Sequence, residues 1–158
     1  MRRNISLALT MLFAAIAFGM GEGGAFLIDL MPISIALLGC FIVAAAVPGS
    51  LLKKGIVWVG SFAIITAAYF TGAYSFNRAF NECVHKGEAV RAQLEEYHAG
   101  HKQYPESLKL LNGPLPGKRV TRPTILVYKR TQDGYELAFQ DWLVEFKATE
   151  SEPFLEHK

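Results

Sequence analysis

Apolar positions along the 158-residue chain fall into two regimes. Up to about residue 76 they are nearly continuous. Beyond it they recur first at helical and then at alternating spacing. The first regime holds three charge-free stretches, 5–21, 30–52 and 55–77, of 17, 23 and 23 residues. A helix needs about 20 apolar residues to cross the hydrocarbon core of a bilayer, within a range of about 17–25. The pattern therefore predicts three transmembrane helices within residues 1–76. Pro32 falls near the start of the second, where a helix tolerates proline, and Pro48-Gly49 closes it. The first stretch follows Met1-Arg2-Arg3 and carries Ala15 and Ala17 in an A-x-A pattern, so it also fits a signal peptide removed near residue 17. A retained span is the preferred reading. No polar face repeats along it, which disfavours a surface-lying helix. Gly60, Ala63, Ala67, Ala68 and Gly72 offer a small-residue face for helix packing.

In the second regime, residues 78–99 place Phe80, Cys83, Val84, Gly87, Val90, Leu94 and Tyr97 at steps of three and four. That spacing makes one stripe of an amphipathic helix. Glu82, Lys86, Glu88, Arg91, Gln93 and Glu95 occupy the opposite face, and Gly100 is expected to end the helix as a left-handed cap. Tyr104-Pro105 fixes an extended step, and Glu106 to Leu111 reads as a short helical turn with Leu108 and Leu111 inward. Asn112-Gly113-Pro114 and Pro116-Gly117 are turn signals. Thr124–Arg130 and Tyr135–Gln140 read as strands joined by Thr131-Gln132-Asp133-Gly134, with Gly134 at the expected positive-φ position. Trp142–Lys147 is a third run with Trp142, Val144 and Phe146 on one face. The expected fold is three transmembrane helices followed by a small α+β domain over 77–158. In that domain a long helix packs on a three-stranded antiparallel meander, and the last ten residues form a loose acidic tail.

Charge sharpens the division. Residues 1–76 hold Arg2, Arg3, Lys53, Lys54, Glu22 and Asp29, and the remaining twelve cations and twelve anions lie beyond. Basic residues of short loops stay on the cytoplasmic side. Arg2 and Arg3 hold the N-terminus inside, the loop with Glu22 and Asp29 lies outside, and Lys53-Lys54 lies inside. Residues 77–158 are then extracytoplasmic whether or not the first stretch is cleaved. Asp29 at the mouth of the second span reads as a helix cap in reach of water. The neutral second half carries no electrostatic footprint for nucleic acid. Cys40 and Cys83 fall on different sides of the predicted interface, which disfavours an intramolecular disulfide. Cys83 reads as a buried apolar residue, the alternative being an intermolecular bridge.

The run Val90-Arg91-Ala92-Gln93-Leu94-Glu95-Glu96-Tyr97, then Gly100, then Gln103-Tyr104-Pro105-Glu106-Ser107-Leu108 and Leu111, resembles the signature of type IV pilins and type II secretion pseudopilins. In that family a long helix ends on an aromatic residue, and a G-x-YP-x-S-L-x-x-L segment leads into a small antiparallel sheet. Tyr128 and Asp133-Gly134-Tyr135-Glu136-Leu137 look like the family's sheet. The resemblance covers roughly Arg78 to Phe146. It implies a pilin-like domain with Tyr97, Gly100, Tyr104, Pro105, Leu108, Leu111, Gly134 and Tyr135 as structural motif residues, placed in the periplasm and anchored in a bacterial inner membrane. The chain departs from the family in its first half. A pilin has one N-terminal span, behind a short basic leader cut before a Phe with a Glu five residues on. No such site precedes the third stretch, and two further stretches stand before it. The resemblance therefore speaks for the fold of 77–158 more than for filament assembly. No calcium-binding aspartates carry over.

Candidate chemistry is sparse. His98 and His101, beside Glu95 and Glu96, have the spacing of helix residues that share a metal, but Gly100 is expected to break the helix between them. They read as surface histidines, with no metal and no cofactor assigned. Sequence patterns for a nucleophile elbow, a zinc protease helix or a phosphate-binding loop are not present. Gly21, Gly23 and Gly24 read as a turn, and Lys118, Arg119 and Arg122 as a small basic cluster in a solvated loop. The expected function is a non-enzymatic, membrane-anchored envelope protein whose domain meets a protein partner or a second copy. An immunity-type or regulatory protein and a metal-dependent hydrolase using His98 and His101 are the alternatives.

Overall fold

The computed structural model describes residues 2–24, 30–132, 134–141 and 144–157. Three helices, a short 3-10 turn and four strands follow in order: α1 Arg2–Glu22, α2 Leu30–Ala46, α3 Leu51–His101, the turn Leu108–Leu110, then β1 Val127–Arg130, β2 Tyr135–Gln140, β3 Glu145–Thr149 and β4 Leu155–His157. The chain divides into two compact units, Met1–Phe76 and Asn77–Lys158, and α3 contributes residues to both.

Among the described residues two helices, not three, are long and apolar enough to cross a membrane: α1 and α3. The expected span over 30–52 is cut short. Helix α2 ends at Ala46, with 17 residues, because Pro48 disfavours helical geometry at Val47 and Gly49 turns the chain at φ +123°. Lys53 and Lys54 consequently lie in the first turn of α3 rather than in a loop. Asp29 and its expected capping role lie outside the described residues.

The helical unit is centred on Ala17 of α1, Cys40 of α2, and Ile65 and Tyr69 of α3, with Phe13, Ala14, Met20, Ala36, Trp58 and Ala73 packed around them. Most apolar residues of α1 and α3 nevertheless face outward, among them Leu7, Met11, Ile56, Val59 and Phe70. Of the packing face expected on α3, Gly72 is buried and Ala68 half-buried, and the rest is not used. Gly60, Ala63 and Ala67 are exposed, whereas Ser61, Ile65, Tyr69, Gly72 and Ser75 are buried. Small residues do set the closest approach. A Cβ at Gly72 would run into the Phe18 carbonyl of α1, and one at Gly21 into the Tyr69 carbonyl of α3. Thr10 and Ser61 share a buried hydrogen bond of 3.1 Å across the same pair of helices. Close backbone contact and an interhelical hydroxyl pair are the means by which apolar helices associate without a hydrophobic driving force.

In the second unit the amphipathic stripe forms as expected through Cys83, Gly87, Val90 and Leu94, joined by Ala79, while Val84 is exposed. This portion of α3 packs on an antiparallel sheet of order β1-β2-β3-β4. Four strands stand where three were expected. The tail is not loose, because Leu155–His157 pairs with β3, Lys147 opposite Leu155. Tyr128, Tyr135, Leu137, Phe139, Phe146 and Ala148 share the face turned to the helix, as the register Tyr128↔Leu137, Leu137↔Ala148 and Phe139↔Phe146 requires. Phe80 meets Phe139 and Phe146 edge-on at 5.5 and 5.8 Å, and Phe139 and Phe146 stack at 5.0 Å. The expected third strand shifts to 145–149, and Trp142 lies outside the described residues.

Two glycines act differently from expectation. Helix α3 continues through Gly100 to His101, and Lys102 takes the left-handed conformation at φ 59°. The Lys102 N–H donates to the His98 carbonyl at 2.8 Å, closing the last turn. Gly134 does not adopt positive φ. A Cβ there would meet the Glu150 carboxylate, the far end of an exposed side chain that can move aside.

The glycine contact between α1 and α3 gives a direct test. Gly72→Ala forces a methyl against backbone atoms and is expected to destabilise the detergent-solubilised chain by about 2 kcal/mol, the scale of overpacking. Gly60→Ala, where a Cβ meets nothing within 4 Å, should leave thermal unfolding unchanged or slightly raised.

Candidate functional site

The sequence-derived candidates converge at the C-terminal end of α3. His98 stacks on Tyr104 at 4.4 Å and 13°, and His101 stacks on Tyr97 at 4.1 Å and 11°. The two imidazoles are thus held in separate aromatic pairs. His101 Nδ1 also lies 3.0 Å from the Tyr97 carbonyl. Among the described residues no three His, Cys, Asp or Glu side chains gather as a metal site.

The Tyr104-Pro105 step folds back under this helix end. The Tyr104 hydroxyl donates to both Glu95 oxygens at 3.0 and 3.1 Å, and its ring meets Tyr135 edge-on at 4.9 Å. The Tyr128 hydroxyl donates to the Pro105 carbonyl at 2.6 Å. Ser107 caps the 3-10 turn through its side chain, which places Leu108 and Leu111 in the core. Tyr97, Tyr104, Pro105, Leu108, Leu111 and Tyr135 therefore share one neighbourhood built on α3, the Tyr-Pro step and β2, and Gly100 is exposed on the last helical turn. Tyr135 is 1% exposed, and its hydroxyl is buried beside Arg91 and Glu95.

Electrostatics follow from burial. Desolvation, then the hydrogen bond to Glu95, pushes the Tyr104 phenol up to about 12. Burial likewise raises Tyr128 and Tyr135. Cys83, fully buried beneath Gly117, is pushed up to about 12 by burial and then by the neighbouring Glu82 charge. A thiol so held is not a nucleophile near neutral pH.

The C-terminal segment is tied to α3 by a second polar cluster. Arg91 donates from Nε and Nη2 to the Thr149 carbonyl at 3.1 and 2.9 Å, and from Nη1 to Glu88 at 2.7 Å. The other Glu88 oxygen accepts the Phe154 N–H at 3.0 Å, and the Phe154 ring lies over Gly87, where a Cβ would collide with it. Burial works to raise Glu88, but the Phe154 N–H and the Arg91 guanidinium outweigh it and hold the carboxyl below its ordinary value. This cluster is what converts the expected loose tail into β4.

One feature of the helical unit escaped the sequence reading. Glu22 ends α1 and is 0% exposed, with the Ser75 hydroxyl donating to it at 3.1 Å. It is not in an outer loop. An acidic residue at the C-terminal end of a helix opposes the helix dipole, and a buried carboxylate in an apolar bundle is costly unless hydrogen-bonded. The small residues Gly21, Gly72 and Ser75 make room for it, and their helical spacing against Glu22 was the available signal.

No known protein-family model, characterised protein or solved structure matches the chain.

Tyr104→Phe removes the hydrogen bond to Glu95 and is expected to cost about 1 kcal/mol at neutral pH. The folded pKa is raised above the unfolded value of 10.0, so Tyr104's contribution is complete below about 10 and is lost as pH rises toward about 12. Denaturant unfolding in that window should show the difference between the wild-type chain and the Phe variant shrinking, while tyrosinate absorbance reports the late ionisation.

Proposed function

We propose that the chain is a membrane-anchored envelope protein whose unit 77–158 lies outside the cytoplasm and binds a protein partner or a second copy, without catalysis of its own. The observation that carries the anchoring is the outward direction of apolar side chains on α1 and α3. A soluble protein turns such helices inward, whereas exposed apolar surface on this scale marks a membrane or an interface. Short α2 fits as a third, packed helix of the anchor, with the N-terminus and Lys53-Lys54 on the cytoplasmic side.

The second unit supports a binding role through the outer face of its sheet. Val127, Ala138, Lys147 and Leu155 stand opposite one another across all four strands. Val127 is 60% and Leu155 47% exposed. A row of three apolar residues interrupted by Lys147, which pairs with Glu145 at 3.2 Å, has the mixed composition of a modest protein interface. Residues that carry the resemblance to pilins and pseudopilins, Tyr104, Pro105, Leu108, Leu111 and Tyr135, are spent on the internal packing of helix, Tyr-Pro step and sheet. We take the pilin-like reading as a proposal about the architecture of this unit.

Crosslinking in intact membranes followed by purification in mild detergent tests the binding role. The wild-type chain is expected to yield a discrete crosslinked species, lost when Val127→Glu and Leu155→Glu are combined. A chain that runs alone under every condition contradicts it.

A further inference from the structure

Residues 107–132 hold six cations, Lys109, Lys118, Arg119, Arg122, Lys129 and Arg130, and no acid. Three of them sit on one small loop whose base is buried and whose tip is exposed. At the base the Ile125 N–H donates to the Gly117 carbonyl at 3.0 Å. The Thr124 hydroxyl donates to the Pro116 carbonyl at 2.7 Å, and the Leu126 N–H donates to the Thr124 hydroxyl at 3.2 Å. Gly117, at φ +78°, lies so close to Cys83 that a Cβ would strike its sulfur. Pro116, Gly117, Ile125 and Leu126 are buried. The tip is braced by Arg119, whose Nε donates to the Pro123 carbonyl at 2.9 Å. Lys118, Val120, Thr121 and Arg122 are exposed, and Val120 is 70% exposed.

The loop therefore presents an apolar residue between cations on a fixed frame. Its anchor point, Cys83, is six residues beyond the end of the charge-free stretch at Asn77, about 9 Å along a helix at 1.5 Å per residue. That is comparable to the Debye length at physiological salt, about 8 Å. Arg78, exposed on the intervening turn, adds a further cation, and the one nearby carboxylate on that turn, Glu82, lies 3.7 Å from it.

We infer that the 117–125 loop is a membrane-surface contact that binds anionic phospholipid headgroups, with Lys118, Arg119 and Arg122 meeting the phosphates and Val120 entering the headgroup layer. Cations around an exposed apolar residue match the chemistry of an anionic interface. Each such cation shifts partitioning onto an anionic surface by about fivefold. The short tether to the span favours lipid over an acidic protein, because headgroups are then present at high effective concentration. The inference rests on the anchoring proposed above.

The test uses the full chain in lipid nanodiscs, with Val120→Cys carrying a fluorophore. Cys40 and Cys83 are fully buried, so the new thiol is the accessible one. Headgroup-nitroxide lipids should quench the label severalfold more in discs containing phosphatidylglycerol than in phosphatidylcholine discs. Combining Lys118→Gln with Arg122→Gln, which leaves the Arg119 brace intact, should sharply reduce that difference, and high salt should abolish it. Equal quenching in the two disc types, or a difference undiminished by the double substitution, overturns the inference. A chain that enters discs but is not quenched in either leaves the loop to an acidic protein and overturns the lipid assignment alone. A chain that fails to enter discs overturns the anchoring and the loop assignment together.

Discussion

The change in side-chain chemistry along α3 is the constraint on which the rest depends. Up to Phe76 the helix shows outward apolar residues and buries Ser61, Ile65, Tyr69, Gly72 and Ser75. From Asn77 onward it shows charge outward and buries Ala79, Cys83, Gly87, Val90 and Leu94. A helix satisfies its own backbone hydrogen bonds, so the same backbone serves an apolar and an aqueous setting. What differs is the solution each unit finds for association. The first uses glycine contacts and the Thr10–Ser61 hydroxyl pair between α1 and α3. The second uses an aromatic core and a four-stranded sheet, where burial drives folding.

Within the second unit, polar groups are spent on joining segments that sequence separates widely. Tyr104 and Glu95 fix the Tyr-Pro step to the helix end. Tyr128 fixes β1 to Pro105, and Arg91 with Glu88 fixes the end of β3 and the approach to β4. These bonds hold the phenols protonated and the carboxylate of Glu88 ionised, a stable arrangement near neutral pH. The unit is thereby stapled at both ends of its sheet, with the outer face of the strands left to the surroundings.

Periodic features were legible from sequence because periodicity reports burial directly. The helical stripe of 78–99 and the alternation of Tyr135, Leu137 and Phe139 are of this kind. Features set by long-range contact were not legible. The ordering of the C-terminal segment depends on partners far along the chain, Glu88 for the Phe154 N–H and Arg91 for the Thr149 carbonyl. The buried Glu22 was misread for the same reason. Its neighbours Gly72 and Ser75 lie about fifty residues away, and a lone acid beside glycines looks like a loop. The second span falls short locally: the stop expected at Pro48-Gly49 holds, and it leaves α2 with 17 residues, fewer than the charge-free stretch of 23.

The central claim is that α1 and α3 sit in a bilayer with the two ends of α3 on opposite sides of it. The lysines provide a test without altering the chain, since Lys53 and Lys54 are the only ones before residue 77 and the others follow it. A membrane-impermeant amine reagent applied to intact spheroplasts, with modified positions read by mass spectrometry, reports which side each occupies. Modification at Lys86, Lys109 and Lys118 with protection of Lys53 and Lys54 until the cells are opened is the predicted result. Modification of Lys53 and Lys54 in intact cells, or protection of every lysine beyond residue 77, would contradict it.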